Sequence, residues 1–204
     1  MIKKITDNIA YIPASEGPLS ADIGLVMGNR RIYVFDTGNG DAAYKELKDF
    51  LDSCPEKEAV CILSHFHEDH TANFARFDYS KIYVSPHTNR YIKIGEPLTS
   101  PLTIEDGVSI TVFPLPSSHA KGCLGMTAEG CAFLGDATYP AEVNNEEVYN
   151  KGLLQEELEV LKELPVKSFL LSHKPRFIYP AKVVIRELES VYGRRLPNEQ
   201  YIKV

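Results

Sequence analysis

The segment from residue 64 to residue 73 reads SHFHEDHTAN and holds three of the chain's six histidines. His65 and His67 are two positions apart, so in an extended segment both side chains face the same way and can bind one cation together. Asp69 and His70 follow where the chain is expected to turn into a helix, so they can point at a second cation. Imidazole and carboxylate groups suit zinc and iron without any thiolate. A solvated polar loop is the plain alternative, and ligands elsewhere in the chain must decide.

Histidine or aspartate also stands at the end of four other apolar, strand-like runs. These runs end at Asp36 (IYVFD), His119 (TVFPLPSSH), Asp136 (CAFLGD) and His173 (SFLLSH). Strands that deliver polar side chains to one edge of a sheet form a rigid frame for ligands. Each residue alone is explained as a turn residue or a hydrogen-bonded residue at the edge of a core. Together with the HxHxDH segment, they predict a metal site.

The composition is that of an ordinary globular protein, with 44% hydrophobic and 25% charged residues. The chain has 204 residues, and we expect residues 1–204 to form a single domain. The net charge of −6 argues against general nucleic-acid binding and against binding to an anionic membrane. No run approaches the ~20 apolar residues of a membrane helix, and the N-terminal lysines precede no signal-like apolar region. A cytoplasmic location is therefore expected, while the oligomeric state stays open.

The four cysteines form no CxxC pair, and we expect them to be reduced and mostly packed. Cys123 follows His119 by four residues, so a nucleophilic thiol is an alternative at that position. A packed thiol within a strand is the preferred interpretation.

The hydrophobic pattern predicts strands that alternate with helices in both halves of the chain. A hairpin is predicted over residues 21–38, and a helix over residues 41–54 with Asp41 as its N-cap. Further strands are predicted over residues 2–13, 59–65, 81–87, 108–116, 123–136 and 166–173, and further helices over residues 71–77, 145–164 and 179–196, the last with Pro180 in its first turn. This order favours two mixed sheets packed together, with helices outside.

With these motifs the chain resembles the metallo-β-lactamase-fold hydrolase superfamily. The motifs that carry the resemblance are Asp36 in VFDTG, the HxHxDH set His65, His67, Asp69 and His70, then His119, Asp136 in FLGDAT and His173 in LLSHK. They run from the first third of the chain to near its end, so the resemblance covers essentially the whole domain. It implies an α+β, four-layer αβ/βα sandwich with two mixed β-sheets packed face to face and helices outside. A two-metal site would lie at the edge where the sheets meet.

The resemblance also implies how the ligands divide. The first metal would be held by His65, His67 and His119, the second by Asp69, His70 and His173, and Asp136 would bridge the two. Asp36 would orient a ligand histidine through its other ring nitrogen. The cofactors would be two divalent transition-metal ions, with Zn²⁺ as the first choice and Fe or Mn as alternatives.

The sequence differs from the better-known branches of the family, and these differences narrow the range of functions that we expect. Antibiotic hydrolases often have Arg at the His70 position and Cys at the Asp136 position. Redox di-iron members have Glu at the His67 position and an appended flavin domain. Thioester hydrolases of the glutathione pathway carry a helical C-terminal domain, for which too few residues follow His173. RNA-processing members carry extra domains or a protruding arm. We therefore expect a minimal hydrolase of unassigned substrate.

The expected function is hydrolysis of a small acyl substrate of the ester, thioester or lactone type by a metal-bound hydroxide. Asp69 is the expected catalytic residue, since it can steer the hydroxide or pass a proton to the leaving group. Hydrolysis of a phosphodiester, in a nucleotide or nucleic acid, is the alternative. A non-enzymatic metal-binding scaffold is a third, weaker one.

Residues beside the predicted ligands are candidate substrate contacts. Tyr139 could donate a hydrogen bond to an oxyanion. Lys121, Lys174 and Arg176 would form a positive rim on a negative protein, which predicts a small-molecule substrate that is anionic. Ser117 and Ser118 flank His119 in the same way as Lys121. Ordinary polarity of surface loops is the alternative for each residue.

Overall fold

The computed structural model describes residues 1–204. Its strands are β1 (Lys3–Lys4), β2 (Ile9–Ile12), β3 (Ser15–Glu16), β4 (Leu19–Ser20), β5 (Ile23–Met27), β6 (Arg31–Phe35), β7 (Glu58–Ile62), β8 (Lys81–Val84), β9 (Glu96–Pro97), β10 (Leu102–Glu105), β11 (Ser109–Leu115), β12 (Cys123–Ala128), β13 (Cys131–Gly135), β14 (Ala141–Val143), β15 (Glu146–Asn150), β16 (Ser168–Leu171), β17 (Ile178–Pro180) and β18 (Tyr201–Lys203). Its helices are α1 (Gly40–Asp52), α2 (Glu68–Thr71), α3 (Pro86–Ile92), α4 (Lys151–Glu163) and α5 (Ala181–Gly193), with a 3₁₀ turn at Phe74–Arg76.

Two large sheets account for most of the strands. The first has seven strands in the order β1-β2-β5-β6-β7-β8-β9, and it changes from antiparallel to parallel pairing at β6. The second has six strands in the order β10-β11-β12-β13-β16-β17, and only the β13–β16 pair is parallel. Both sheets are therefore mixed, as predicted. A small sheet β14-β15-β18 and the hairpin β3–β4 complete the strands.

Alternation along the strands explains how the layers stack. In β6, Tyr33 and Phe35 belong to the same apolar cluster as Phe133 of β13, so this cluster lies between the sheets. The intervening Ile32 and Val34 join a cluster with α1, on the outer face of the first sheet. A third cluster packs the outer face of the second sheet against α4 and α5. The order helix, sheet, sheet, helix confirms the predicted αβ/βα sandwich.

The predicted helix over residues 145–164 was partly wrong. Residues 146–150 form β15, which pairs with β14 and with β18 near the C-terminus. The helix begins only at residue 151, where the side chain of Asn150 accepts hydrogen bonds from the N–H groups of Gly152 and Leu153 at 3.0 and 3.1 Å. Val148 and Tyr149 favour a strand once the preceding β14 and the distant β18 supply the pairing.

Two predicted helix starts also shifted. The N-cap of α1 is Asn39, and Asp41 lies in the first turn, where its charge favours the positive end of the helix dipole. Pro180 is the N-cap of α5 rather than a residue of its first turn. Helix α3 lies over residues for which no helix was predicted, and it starts at Pro86 behind an N-cap serine, Ser85.

Cysteines 61, 123 and 131 are buried, Cys54 is half-buried, and all four are free thiols. Cys123 donates a hydrogen bond to the carbonyl of Ala120 at 3.5 Å, and burial raises the pKa of its thiol to about 12. A thiol with that pKa stays protonated at neutral pH, so Cys123 is a packed residue rather than a nucleophile.

None of the five helices combines the length and hydrophobicity that crossing a bilayer requires.

Glu157 of α4 is fully buried, and neither of its carboxylate oxygens has a hydrogen-bond partner. An ionised Glu157 would raise the pKa of Cys123 and of Tyr149. Neither group is hydrogen-bonded to Glu157, because Cys123 donates to the carbonyl of Ala120 and Tyr149 to the carbonyl of Thr138. Burial raises the pKa of Glu157 well above its usual value, so the folded protein holds this carboxyl as the neutral acid.

Replacing Glu157 should make the folded protein more stable, and increasingly so as the pH rises. Between the unfolded-state pKa and the raised folded-state pKa of Glu157, the folded chain binds one more proton than the unfolded chain, so the free energy of unfolding falls by up to about 1.4 kcal/mol per pH unit. Glu157→Met removes this loss. Denaturant unfolding at pH 5 and pH 8 should show a larger gain at pH 8, whereas the exposed Glu156→Met should show none. An equal gain for Glu157→Met at both pH values would contradict a neutral buried acid.

Candidate metal centre

Five strand ends meet at one edge of the sandwich. Strands β6 and β7 are parallel neighbours in the first sheet, so Asp36 and His65, which follow them, come out at the same edge. In the second sheet β13 and β16 are parallel neighbours, and they carry Asp136 and His173. Strand β11 lies two antiparallel pairings from β13, so it runs in the same direction and places His119 at this edge as well.

Two of these residues have left-handed backbones. Asp36 has a φ of 63° and His173 a φ of 59°, a conformation that side-chain-bearing residues seldom adopt. The N–H of His173 donates a hydrogen bond to Oδ2 of the buried Asp22 at 3.2 Å, which holds this turn in place. Such local strain is typical of residues whose position is fixed for a function.

The seven predicted ligands converge into two adjacent groups. Within each group the potential ligand atoms all lie within 4.8 Å of one another. One group consists of His65, His67 and His119, and the other of Asp69, His70, Asp136 and His173. The grouping separates the three histidines from Asp69, His70 and His173, as the resemblance implies, and places Asp136 with the second set.

Asp136 stands between the two groups. Its Oδ2 lies 3.3 Å from Nε2 of His70, 3.6 Å from Nε2 of His173 and 3.6 Å from Nε2 of His119. A carboxylate at contact distance from histidines of both groups has the position that a bridging ligand requires.

Unpaired buried atoms show that the site fits metal ions. Nε2 of His65, Nε2 of His70 and Oδ1 of Asp136 are buried and have no hydrogen-bond partner. Leaving one buried polar group unpaired costs about 1–3 kcal/mol, so three in one place call for an explanation. Nδ1 of His67 and Nε2 of His119 face each other at 3.2 Å. Donor atoms of imidazole and carboxylate type that converge in this way are what a transition-metal ion needs.

Hydrogen bonds on the far side of the rings fix which nitrogen faces the centre. Asp36 Oδ2 lies 2.7 Å from Nδ1 of His70, and this ion pair is fully buried. The Pro140 carbonyl lies 3.2 Å from Nδ1 of His119, and Ser64 Oγ lies 3.0 Å from Nδ1 of His65. In each case Nε2 is left to point inward.

Burial and neighbouring charges act in opposite ways on the two central histidines. Burial and the surrounding imidazoles hold the pKa of His65 well below its usual value, so its ring is neutral and its Nε2 is free to bind a cation. Burial would also lower the pKa of His70, but Asp36 and Asp136 outweigh it and raise that pKa well above the usual value. The carboxylates of Asp36 and Asp136 therefore favour a positive charge at His70.

Asp69 reaches the second group from the short helix α2. Its Oδ2 lies 2.9 Å from Nε2 of His173, and the side chain remains partly accessible. Burial would raise the pKa of Asp69, but the bond to His173 and the charge of His70 lower it overall. The carboxylate is thus ionised at neutral pH and lies beside both a ligand set and solvent.

Three residues of the site were missed by the sequence analysis. The hydroxyl of Ser64 donates to Asp36 Oδ2 at 2.7 Å and contacts Nδ1 of His65 and, at 3.3 Å, of His70. Gly135 must lack a side chain, since an added Cβ would come within 2.8 Å of that hydroxyl. Asp22 holds His173 as described above. Ser64 precedes the HxHxDH motif directly, and this adjacency was the available signal, whereas nothing in the sequence marks Asp22.

The residues predicted to contact the substrate have different surroundings in the structure. Tyr139 donates its hydroxyl to the Ser172 carbonyl, so the free oxyanion donor that we expected is already engaged. Lys174 lies over the Tyr139 ring, with Nζ 5.2 Å from the ring centroid. The hydroxyl of Ser117 donates to the Ala137 carbonyl at 2.7 Å, so Ser117 shapes the His119 loop. Ser118 Oγ likewise accepts a bond from the Asn150 N–H at 3.0 Å.

Two cavities adjoin at His119. The smaller, which we call the mouth cavity, has a volume of about 390 Å³ and is lined by His67, His119, Pro140, Ala141, Glu142 and Glu147. The larger, which we call the side cavity, has a volume of about 500 Å³ and shares His119, Pro140 and Glu147 with the first. Lys174 and Tyr139 line the side cavity, whereas Lys121 and Arg176 line neither. The positive rim is therefore reduced to a single lysine.

Neutralising Asp36 should weaken metal binding without breaking the turn. Asn tolerates the left-handed backbone as Asp does, so Asp36→Asn changes mainly the charge behind His70. Loss of such a partner costs about 10–100-fold in metal affinity. Competition titrations with a chelating dye should show this drop for the second group. The exposed Asp41→Asn is the control, and wild-type affinity in Asp36→Asn would show that the buried pair does not support the ligand.

Comparison with known proteins gives a structural answer only. No family model matches the sequence, and no curated protein matches it significantly. Among solved structures, the DIM-1 metallo-β-lactamase is 18% identical, with a TM-score of 0.71 over 95% of this chain and 96% of that one. An archaeal metallo-β-lactamase superfamily protein from Sulfolobus tokodaii is 16% identical, with a TM-score of 0.67 over 94% of this chain and 88% of that one.

A flavo di-iron protein from Thermotoga maritima is 15% identical, with a TM-score of 0.73 over 97% of this chain. The chain spans 64% of that protein's length. Identities this low establish an architecture and leave the activity open. All three likenesses extend over nearly the whole chain, and they agree with the observed order of layers. The chain therefore has the metallo-β-lactamase fold, with its candidate metal centre at the edge where the two sheets meet.

Proposed function

We propose that the chain is a metal-dependent hydrolase that acts on a small acyl substrate of the ester, thioester or lactone type. The observation that carries the proposal is the pair of convergent donor groups, with buried atoms of His65, His70 and Asp136 left unpaired. Two divalent ions bound there would supply Lewis acidity and a hydroxide nucleophile at neutral pH.

The chain's own residues hold and orient this chemistry. Asp36, Ser64 and the Pro140 carbonyl fix three histidine rings, so the donor set is arranged before any ion binds. We assign to Asp69 the movement of a proton, because its ionised carboxylate lies at the edge of the second group with part of its surface accessible. The mouth cavity leads to His67 and His119, so the reacting bond would lie there.

Zinc is our proposed metal, with iron and manganese as alternatives. The first group is made of three imidazoles, which is a common zinc set. The second group adds two carboxylates, a composition that iron and manganese also accept. Elemental analysis of protein purified without added metal distinguishes the three.

Phosphodiester hydrolysis is the second candidate. It would use the same donor groups, but the chain carries a net charge of −6, and one lysine, Lys174, lines the side cavity while none lines the mouth cavity. A long polyanion would meet little positive surface there. We therefore favour an acyl substrate, and place a non-catalytic metal-binding role third.

A panel of chromogenic substrates tests the proposal. Metal-replete protein should hydrolyse at least one of the p-nitrophenyl esters, thioesters or lactones faster than bis(p-nitrophenyl) phosphate, and a chelator should abolish the activity. Faster turnover of the phosphodiester would favour the second candidate. Two bound metals without turnover of any substrate would favour the third.

We further propose that the substrate is anionic, a proposal that now depends on Lys174. Lys174→Ala should raise KM for p-nitrophenyl hemisuccinate by about 5-fold, the effect of ~1 kcal/mol from a partly exposed ion pair, with little change in kcat. The neutral butyrate ester should be unaffected. Arg176→Ala is the matched control, because Arg176 lines neither cavity. Equal KM changes for both esters would show that Lys174 does not recognise the negative charge of the substrate.

A further inference from the structure

The side cavity has an apolar wall that the proposed chemistry does not use. Seven of its thirteen lining residues are hydrophobic. Val184, Leu188 and Val191 of α5 line it, together with Leu171 at the end of β16 and Val204 at the C-terminus. The three α5 positions are separated by four and three residues, so they form one stripe along the helix, which extends over about 10 Å.

This wall is continuous with the metal centre. His119, a member of the first donor group, lines both the mouth cavity and the side cavity. Tyr139 and Lys174 lie against each other in the side cavity, and the Tyr139 ring centroid is 6.1 Å from the His119 ring. The acidic Glu147 and Glu187 also line this cavity. A molecule that reacts beside His119 can therefore extend its apolar part along α5.

The geometry points to a binding subsite for an unbranched aliphatic acyl chain in the side cavity. This inference rests on the proposed function, because it assigns the acyl part of the substrate to this wall and its carbonyl to the neighbourhood of His119. A volume of about 500 Å³ exceeds what an acetyl group needs and suits a medium-length chain. The small sheet β14-β15-β18 covers this region, with the N–H of Val204 bonded to the Glu147 carbonyl at 3.1 Å.

Chain-length dependence is the direct test. Each methylene that leaves water for an apolar wall adds about four-fold in affinity. Zinc-replete protein should therefore show a kcat/KM that rises along the p-nitrophenyl acetate, butyrate, hexanoate and octanoate series. In an assay without turnover, calorimetry with metal-free protein should show tighter binding of sodium octanoate than of sodium acetate.

Substitutions that fill the side cavity should remove this preference. Val191 is half-buried and Val204 is exposed, so Val191→Phe and Val204→Phe add volume with little risk to the core. Each should lower the octanoate-to-acetate ratio by about 10-fold while hydrolysis of the acetate ester stays within about 2-fold of wild type. Val183→Phe is the matched control, since Val183 lies on the same helix, is exposed and does not line the cavity.

The outcomes separate this inference from the function on which it rests. If no ester is hydrolysed, the proposed hydrolase fails, and the octanoate binding data still decide the subsite. If esters are hydrolysed at rates independent of chain length and octanoate binds no better than acetate, the subsite is overturned while the hydrolase stands. Equal effects of the Val191 and Val183 substitutions would also overturn it.

Discussion

Asp69→Asn should lower kcat by at least about 100-fold, the usual scale of lost acid–base catalysis, while the fold stays intact. The substitution keeps the shape of the side chain but removes the charge that contacts Nε2 of His173 at 2.9 Å. It also removes the ionised oxygen that faces the edge of the site. Because the Asp69 side chain is partly accessible, the loss should appear in turnover much more than in the free energy of unfolding.

The neighbouring Glu68→Gln is the control for this experiment. Glu68 is exposed and belongs to neither donor group, so its turnover should match wild type. Circular dichroism and metal content must be recorded for both variants. If Asp69→Asn retains metal and loses activity, its role is in proton movement. If it loses the second metal as well, its role as a ligand dominates. Wild-type turnover would show that Asp69 is a bystander.

Metal-replete wild type should contain about two transition-metal ions per chain, and single ligand substitutions should remove them unevenly. His67→Ala should release mainly the first ion and His173→Ala mainly the second, since the two residues belong to different groups. Asp136 contacts histidines of both groups, so loss of one ion should also weaken binding of the other. Mass spectrometry under native conditions measures the stoichiometry without any substrate.

Thermal unfolding gives a second measurement of the same prediction. An ion that binds only the folded chain at 100 times its Kd stabilises it by about 2.7 kcal/mol. His87→Ala is the matched control, because His87 is the one histidine outside the two groups. It should retain both ions and the full thermal shift. At most trace metal in replete wild type, with no shift, would refute the metal centre.

The residues that the sequence predicted to lie together do converge, whereas several elements around them differ from the prediction. Its motifs placed His65, His119 and His173 at strand ends, and parallel pairing then brought those ends to one edge. The strand β15 pairs with β14 across a turn at Asn144 and Asn145, both with left-handed backbones, and with β18 about 50 residues further along the chain. The prediction assigned β15 to a helix because the pattern around Val148 continues into the helix that follows, which obscured the local turn signal of the two asparagines.

Loop side chains were the least predictable part. Tyr139, Lys174 and Arg176 each carry a polar group and lie within three residues of a candidate ligand in the sequence, yet their surroundings differ. Tyr139 bonds a backbone carbonyl, Lys174 lies over its ring, and Arg176 is exposed outside both cavities. Which way a loop residue points depends on backbone turns such as that at His173, whose left-handed φ is set by contacts with Asp22.

The donor groups draw on both sheets. His65, His67, Asp69 and His70 follow strand β7 of the first sheet, whereas His119, Asp136 and His173 follow strands of the second. Metal ions bound at this centre would therefore crosslink the two sheets at the edge where they meet. Separating the sheets would require breaking the metal–ligand bonds of one sheet, so unfolding of the metal-loaded protein should be slow even where its equilibrium stability is modest. The same arrangement predicts that two fragments, divided between β9 and β10, would reassemble more tightly when metal is supplied.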